Sequence, residues 1–296
     1  MKTELRIAER TLRSSLFYAR DRFLARRDPH HGRHLRFADH KKSDTLFVLG
    51  SGGSINDITA AQWRTIAAHD SLGFNNWLVH AHVPTYYALE LPSTTTPARA
   101  RTIDNTQHNL ALAAPRYAGV PFLLASDRAA PLCPSFLPAA LRPFAYVIPM
   151  QLVLGTTSQQ VAFALHVHRA LGHCTPRPHC SHMLKKRASV FRHVYFGLLA
   201  GYQRIVLAGI DLNNTPYFFD DHARGEHPHG YRLDHVLTQN PGPVHRTNDP
   251  TEGQVTVAVM LEILERIALR PLGVELRLLH SSSALYPQIP LLESVL

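Results

Sequence analysis

Apolar and polar positions follow two rhythms along this chain. Short, largely apolar runs stand at 45–50, 71–74, 85–89, 120–124, 145–148, 205–209 and 274–279. They predict short strands, with those at 45–50 and 205–209 buried. Between them, a period of three to four residues predicts helices over 57–68, 102–113, 156–171, 188–200 and 251–268. Strands alternating with helices predict an α/β domain. It is Rossmann-like, with a mostly parallel sheet and helices on both faces. The domain is expected over 43–296.

Two polar stretches break the rhythm. Residues 28–43 read as a linker. Residues 212–245 follow the strand at 205–209 and hold His222, His227, His229, His235 and His245. A long polar segment leaving the carboxyl end of a strand predicts a lid over a ligand site.

Ahead of the linker, Leu5, Ala8, Leu12, Leu16, Ala19 and Phe23 step by three or four residues along one helical face. Arg and Lys cover the rest. Residues 1–42 carry twelve Lys/Arg against five Asp/Glu, or +7 of the formal +9. The basic pI is therefore a property of this arm, and the remaining chain is nearly neutral. Three partners are compatible with such an arm over residues 3–27. It can pack on its own domain or on a second subunit, lie on an anionic membrane, or bind nucleic acid. The last is set aside, because aromatic interleaving and any nucleic-acid motif are missing.

Composition adds limits. Hydrophobic content of 45% and charged content of 18% are ordinary for a globular protein. No apolar run is long enough to span a bilayer, and the first residues lack a signal-peptide core. Three cysteines, Cys133, Cys174 and Cys180, fit a reducing compartment better than a disulfide framework. A cytoplasmic protein is expected, with peripheral contact at the inner membrane left open by the arm.

Several clusters carry candidate chemistry. Gly50-Ser51-Gly52-Gly53-Ser54 joins the first domain strand to a helix, where backbone can approach a ligand closely and a helix N-terminus favours phosphate. A plain tight turn explains it as well. It is neither a dinucleotide fingerprint nor a P-loop. Asn75 and Asn76 end the strand at 71–74 and are placed to read a base or sugar, or to serve a turn. Asp211 and Tyr217 flank the lid entry, with Phe219 and Asp220 behind them. His245, just ahead of the last helix, is the leading acid/base candidate among the lid histidines. Their spacing fits no metal motif, so no metal and no cofactor are expected. The His173-Cys174 and His179-Cys180-Ser181-His182 cluster reads as a Pro-rich surface loop rather than a zinc knuckle.

Taken in order, these features resemble the small bacterial sialyltransferases of glycosyltransferase family 42. The first-strand turn is Gly50–Ile55, and the strand ending in Asn is Phe74-Asn75. A helix entry falls at Ser189. The run from Gly201 to Asp211 matches the family's Gly-Tyr to Gly-Ile-Asp pattern. Tyr217-Phe218-Phe219-Asp220, His245 to Asp249 and the late turn from His280 to Leu285 follow. The resemblance spans roughly residues 44–290. It implies metal-independent, inverting transfer of a nonulosonic acid, such as sialic acid or Kdo, from its CMP donor to a glycan hydroxyl.

By the same resemblance, His245 takes the acceptor proton. Tyr217, with a cation at Lys186 or Arg187, steadies the leaving phosphate. Gly50, Ser51, Gly52, Gly53, Asn75, Ser189, Gly209, Asp211, Phe219, Asp220, Ser282 and Ser283 contact the donor. The chain departs from the family at Ser51, where the family has Asn, and at Asn213, where it has the first of two tyrosines. Two other readings remain. His227-Pro228 resembles the His-Pro motif of an unrelated sialyltransferase architecture. A protein that kept the fold and lost turnover would be a binding module at a membrane surface or on flagellin.

Overall fold

The computed structural model of the chain describes residues 2–25, 34–90, 97–126, 133–213, 216–220, 229–233, 245–252 and 255–293. Strand β1 (Leu35–Arg36) precedes the main sheet and pairs antiparallel with β7 (His179–Cys180). The main sheet takes β2 (Thr45–Leu49), β3 (Asp70–Phe74), β4 (Tyr86–Leu89), β5 (Phe122–Ser126), β6 (Ala145–Leu152), β8 (Met183–Lys185), β9 (Arg204–Ala208) and β10 (Glu275–Leu278). Its order is β10-β9-β2-β3-β4-β5-β6-β8, and every pairing is parallel. The expected Rossmann-like α/β architecture is the one observed.

Parallel strands need covering on both faces, and their side chains divide accordingly. Leu46, Val48, Leu72, Tyr86, Leu123, Ile205 and Leu207 enter one core with helices α4 (Ser158–Ala170), α5 (Ser189–Leu199) and α6 (Val257–Leu264). Phe47, Leu49, Tyr87, Phe122, Leu124, Val206 and Ala208 enter the other with α2 (Ala60–Ala68) and α3 (Pro97–Ala113). The period of two flips residues between cores that are both dry, so the runs look continuously apolar in sequence.

This order makes a switch point. From β2 the chain moves away through β3 and β4 towards β8. It then returns to β9, on the other side of β2, and ends at β10. The carboxyl ends of β2 and β9 therefore diverge around one crevice, which is where open α/β sheets bind ligands.

The arm packs on its own domain, one of the partners its sequence left open. Helix α1 (Lys2–Ala25) packs on α4 and β6, but through Ile7 and Thr11, which are buried, and through Ser15. Gln151 Nε2 donates to Ser15 Oγ at 2.7 Å, and Ser15 Oγ donates to the Thr11 carbonyl at 2.9 Å. Of the apolar stripe read in the sequence, Leu5, Leu12 and Leu16 are exposed. The linker reading also changes at its end. Leu35 and Phe37 are buried, and Phe37 meets Phe196 edge-on at 5.5 Å, so the packed domain begins ahead of residue 43.

The His/Cys stretch is not a surface loop. Cys174, Cys180, Ser181 and His182 are buried, as is His168 on α4. His168 Nδ1 lies 3.1 Å from His173 Nδ1, and Tyr195 Oη lies 3.2 Å from His182 Nε2. Among the described residues, no three His, Cys, Asp or Glu side chains are placed to hold a metal ion. Burial, then the neighbouring His173, lowers His168 to about 3. Burial, then Arg177, lowers His173 to about 4.

These shifts predict acid lability. Both groups titrate lower in the folded state than at their ordinary 6.5, so the unfolded chain binds more protons below that pH. Their stabilisation is complete above about pH 6.5 and is lost as pH falls towards 4 and 3. Thermal unfolding followed from pH 7 to 4 should show a falling Tm, with a shallower fall in His168→Gln. An unchanged slope in that variant would assign the acid lability to other groups.

Candidate active site

The β2–β9 crevice is built by close backbone approach. Gly50 N donates to Ala208 O at 2.8 Å, and Gly52 N donates to Gly209 O at 2.8 Å. A Cβ on Gly52 would strike the Asp211 carboxylate and lie 2.8 Å from the Gly209 carbonyl oxygen. Gly209 itself has φ +67, where a side chain would also meet Ile55 at 2.6 Å. Buried Asp211 closes the turn. Its Oδ1 accepts from Ser54 Oγ at 2.5 Å and its Oδ2 from Ser54 N at 3.0 Å.

The turn then enters a five-residue 3₁₀ segment, Gly53–Asp57, and α2 starts only at Ala60 behind a Thr59/Gln62 capping box. The sequence placed this helix from residue 57. With the helix displaced, its dipole does not reach the turn. Ser51 remains notable: its Oγ is buried, has no hydrogen-bond partner among the described residues, and its residue lines a cavity.

That cavity is about 270 Å³ and lies at the carboxyl edge of β2, β3 and β4. Ser51, Asn75, Asn76, Glu90 and Tyr217 supply polar groups, and Thr102, Thr106 and Asn109 of α3 form the far wall. Asn75 is exposed and holds a left-handed backbone, φ 55, with its carbonyl accepting from the Tyr87 hydroxyl. Asparagine tolerates that region better than most residues. The buried tyrosine thus holds the Asn75 backbone at the cavity edge.

Tyr217 is laid over the Gly-rich turn. It bridges Gly52, and Phe218 N donates to Ser51 O at 3.1 Å. Its ring stacks on buried Phe219, with centroids 5.3 Å apart. Asp220 Oδ2 accepts from Tyr217 N at 2.6 Å, which makes Asp220 a clamp for the segment. Burial, then Asp220, raises the Tyr217 phenol, so it is a neutral donor at physiological pH.

The exit of β9 holds the remaining groups. Leu212 has φ 56, a strained value for leucine. Its carbonyl accepts from His245 N at 3.1 Å. On the other side, Asn213 Nδ2 donates to Ser282 O at 2.8 Å, Ser283 Oγ donates to Ile210 O at 2.6 Å, and Ala284 N donates to Asp211 O at 2.7 Å. Asn213 Oδ1 is buried with no partner among the described residues.

His245 caps the 3₁₀ turn Arg246–Asn248. Its Nδ1 lies 2.9 Å from Thr247 Oγ1 and 3.3 Å from Thr247 N. As a cap, Nδ1 accepts from Thr247 N–H, which leaves the proton on Nε2; the other tautomer, with Nδ1–H donated to Thr247 Oγ1, is the one that frees the Nε2 lone pair a base requires. Burial, then Arg246 and Arg187, lowers its pKa below 6.5, so it is neutral at pH 7. Arg187 Nη2 donates to Arg246 O at 2.6 Å, which places this cation beside His245. Lys186 turns the other way, to Val153 O at 3.0 Å and Gly155 O at 2.5 Å. The sequence left the cation's register open between these two.

One site residue was missed in the sequence. Glu90 follows β4 and faces the cavity. Ser189 Oγ and Arg192 Nη2 donate to its Oε2 at 3.0 and 2.9 Å, and Lys185 Nζ lies 3.2 Å from Oε1. Burial alone would raise its pKa. Arg192 and then Lys185 outweigh that and hold it at about 2, so it is a fixed carboxylate. The signal was available, because Glu90 lies at the carboxyl end of a predicted strand.

Part of the stretch read as a lid is pinned to α3. Asn109 exchanges two hydrogen bonds with the Arg232 backbone, and His108 Nε2 lies 2.9 Å from Gly230 O. Tyr231 and Leu233 are buried, and His229 is exposed. His222, His227 and His235 lie outside the described residues.

No family model matches the chain, and no curated protein matches it. Among solved structures it is similar to a point variant of the sialyltransferase CST-II in complex with CMP. The identity is 15%, over 85% of this chain and 87% of that one, with a TM-score of 0.45. It is also similar to the monofunctional α-2,3-sialyltransferase Cst-I from Campylobacter jejuni, at 14% identity over 84% and 80% of the chains, TM-score 0.44. A third is CstII from Campylobacter jejuni in complex with the substrate analogue CMP-3FNeuAc, at 15% over 85% and 87%, TM-score 0.42. At such identity the functional reading has to stand on the residues of the site.

Proposed function

We propose that this protein is a CMP-sugar-dependent glycosyltransferase. It moves sialic acid or a related nonulosonic acid, Kdo included, from its CMP donor to a hydroxyl of a surface glycan such as lipooligosaccharide or capsule. The observation that carries the reading is convergence at the β2–β9 switch point. Ser51, Asn75 and Tyr217 line one cavity at the carboxyl edge of the sheet, and His245 stands with Arg187 at the exit of β9, which supports the roles the sequence resemblance implies for them.

The chemistry suits these groups. CMP leaves a tertiary anomeric carbon, so charge builds on the phosphate as the bond breaks. The neutral Tyr217 phenol and the Arg187 guanidinium meet that charge, without a metal. The acceptor hydroxyl attacks the opposite face as His245 takes its proton, which inverts the anomeric centre. An enzyme of surface-glycan assembly works at the inner membrane, and peripheral contact through residues 3–27 belongs to the same reading. Asn213 favours a second reading, a binding module without turnover. Its amide is held by Ser282 where the family has a phenol. The two readings part at donor cleavage.

Calorimetry tests the nucleotide. CMP should bind more tightly than UMP or AMP, and Asn75→Ala should weaken CMP by about tenfold, the value of one lost hydrogen bond to a charged or well-placed group. Equal affinity for the three nucleotides would remove the cytidine specificity.

A further inference from the structure

Helix α1 shows three stripes. Ile7, Thr11 and Ser15 dock on α4 and β6. Leu5, Leu12 and Leu16 are 63%, 45% and 71% exposed. Lys2, Arg6, Arg10 and Arg13 are also exposed. At 3.6 residues per turn the leucines lie roughly a third of a turn from the docked stripe, and the cations roughly a quarter turn beyond them. Apolar and basic stripes are thus neighbours, and together they face away from the domain. Against these four cations stand Glu4 and Glu9, and Glu9 is 3.3 Å from Arg13.

A docked helix ordinarily spends its leucines on the docking. Here, among the side chains described, Ile7, Thr11 and Ser15 do that work, and Leu5, Leu12 and Leu16 are left outward. A second copy of this surface would set cation against cation. An anionic lipid surface instead accepts leucines between its headgroups and cations at its phosphates. No described helix is long and apolar enough to cross a membrane, so the contact is one of lying on the surface.

We infer that the outward face of α1, Leu5, Leu12 and Leu16 with Lys2, Arg6, Arg10 and Arg13, is a docking surface for anionic phospholipid. The docked stripe couples it rigidly to the catalytic domain. This deepens the membrane part of the proposed function, yet it rests on residues that take no part in the site. Vesicle binding and CMP binding can therefore fail separately.

Co-sedimentation with vesicles tests it. The full chain should bind phosphatidylcholine vesicles carrying roughly 30% phosphatidylglycerol and not pure phosphatidylcholine, with binding that weakens as salt rises. The combined variant Leu5→Gln, Leu12→Gln, Leu16→Gln should lose more than about tenfold in vesicle affinity. The combined variant Arg6→Gln, Arg10→Gln, Arg13→Gln should lose the preference for the anionic lipid. Both should keep the wild-type unfolding midpoint and CMP affinity. Failure of the wild-type chain to sediment at low salt would overturn the inference. So would equal binding by the leucine variant. A wild-type dimer that the leucine variant converts to monomer would assign the face to a second copy instead.

Discussion

Replacing His245 with alanine is expected to lower turnover of a CMP-sugar donor by about 10²–10⁴-fold, the usual contribution of a positioned general base. CMP affinity should barely change, because the imidazole meets the acceptor. The motive is geometric: the Leu212 carbonyl holds the His245 backbone, and Thr247 holds its Nδ1. The lowered pKa fixes the sign of the pH effect. The neutral, basic form is populated above a midpoint below 6.5, so kcat/KM should fall only on the acid side of that value. In His245→Ala this acidic limb should disappear. Thr247→Val should keep CMP binding and shift the limb, since it removes the oxygen that orients the ring. Kinetics of the same substitution at His229, which is exposed, serve as a comparison. If His245→Ala keeps most activity while His227→Ala is inactive, the base is assigned to the wrong histidine and the His-Pro reading takes its place.

The second large effect is expected at Gly52. A methyl group there has no room between the Asp211 carboxylate and the Gly209 carbonyl. Gly52→Ala should destabilise the fold by about 1–3 kcal/mol, the range for forced overpacking. It should also weaken CMP by at least about tenfold, because the turn that carries Ser51 must move away from β9. Gly119→Ala is the control. Its φ is +92, but open space surrounds it, so it bears backbone strain alone and should leave CMP binding intact. Equal loss of CMP affinity in the two variants would mean that the effect follows global stability and not the crevice.

How much of this was legible in the sequence depended on how local its cause was. The strands at 45–50 and 205–209 could be read because burial on both faces leaves unbroken apolar runs, whereas 274–279 is an edge strand that alternates Glu275 and Arg277 with buried Leu276 and Leu278. The crevice could be read because a Gly-rich turn after one strand and Gly-Ile-Asp after another mark strand ends. The last helix was expected from residue 251, but Thr256 caps it and Pro250–Glu252 forms a separate 3₁₀ turn, so α6 begins at Val257. Contacts between distant segments were not readable. Glu90 looks like a charged strand end until Ser189 and Arg192, 99 and 102 residues away, come to its carboxylate. The His/Cys stretch looks like a surface loop until β7 pairs with β1 and Tyr195 reaches His182. The leucine stripe of α1 left its partner open, and which face docks on the domain, through Ile7, Thr11 and Ser15, was not readable from its period.

Release of CMP from CMP-sialic acid and from CMP-Kdo, with and without a lipooligosaccharide acceptor, tests the central claim most directly. At least one donor should yield CMP faster with wild-type protein than with His245→Ala, and acceptor should raise the rate with a matching gain of one sugar in acceptor mass. Tight CMP binding with no release from either donor would contradict a transferase and leave the binding module.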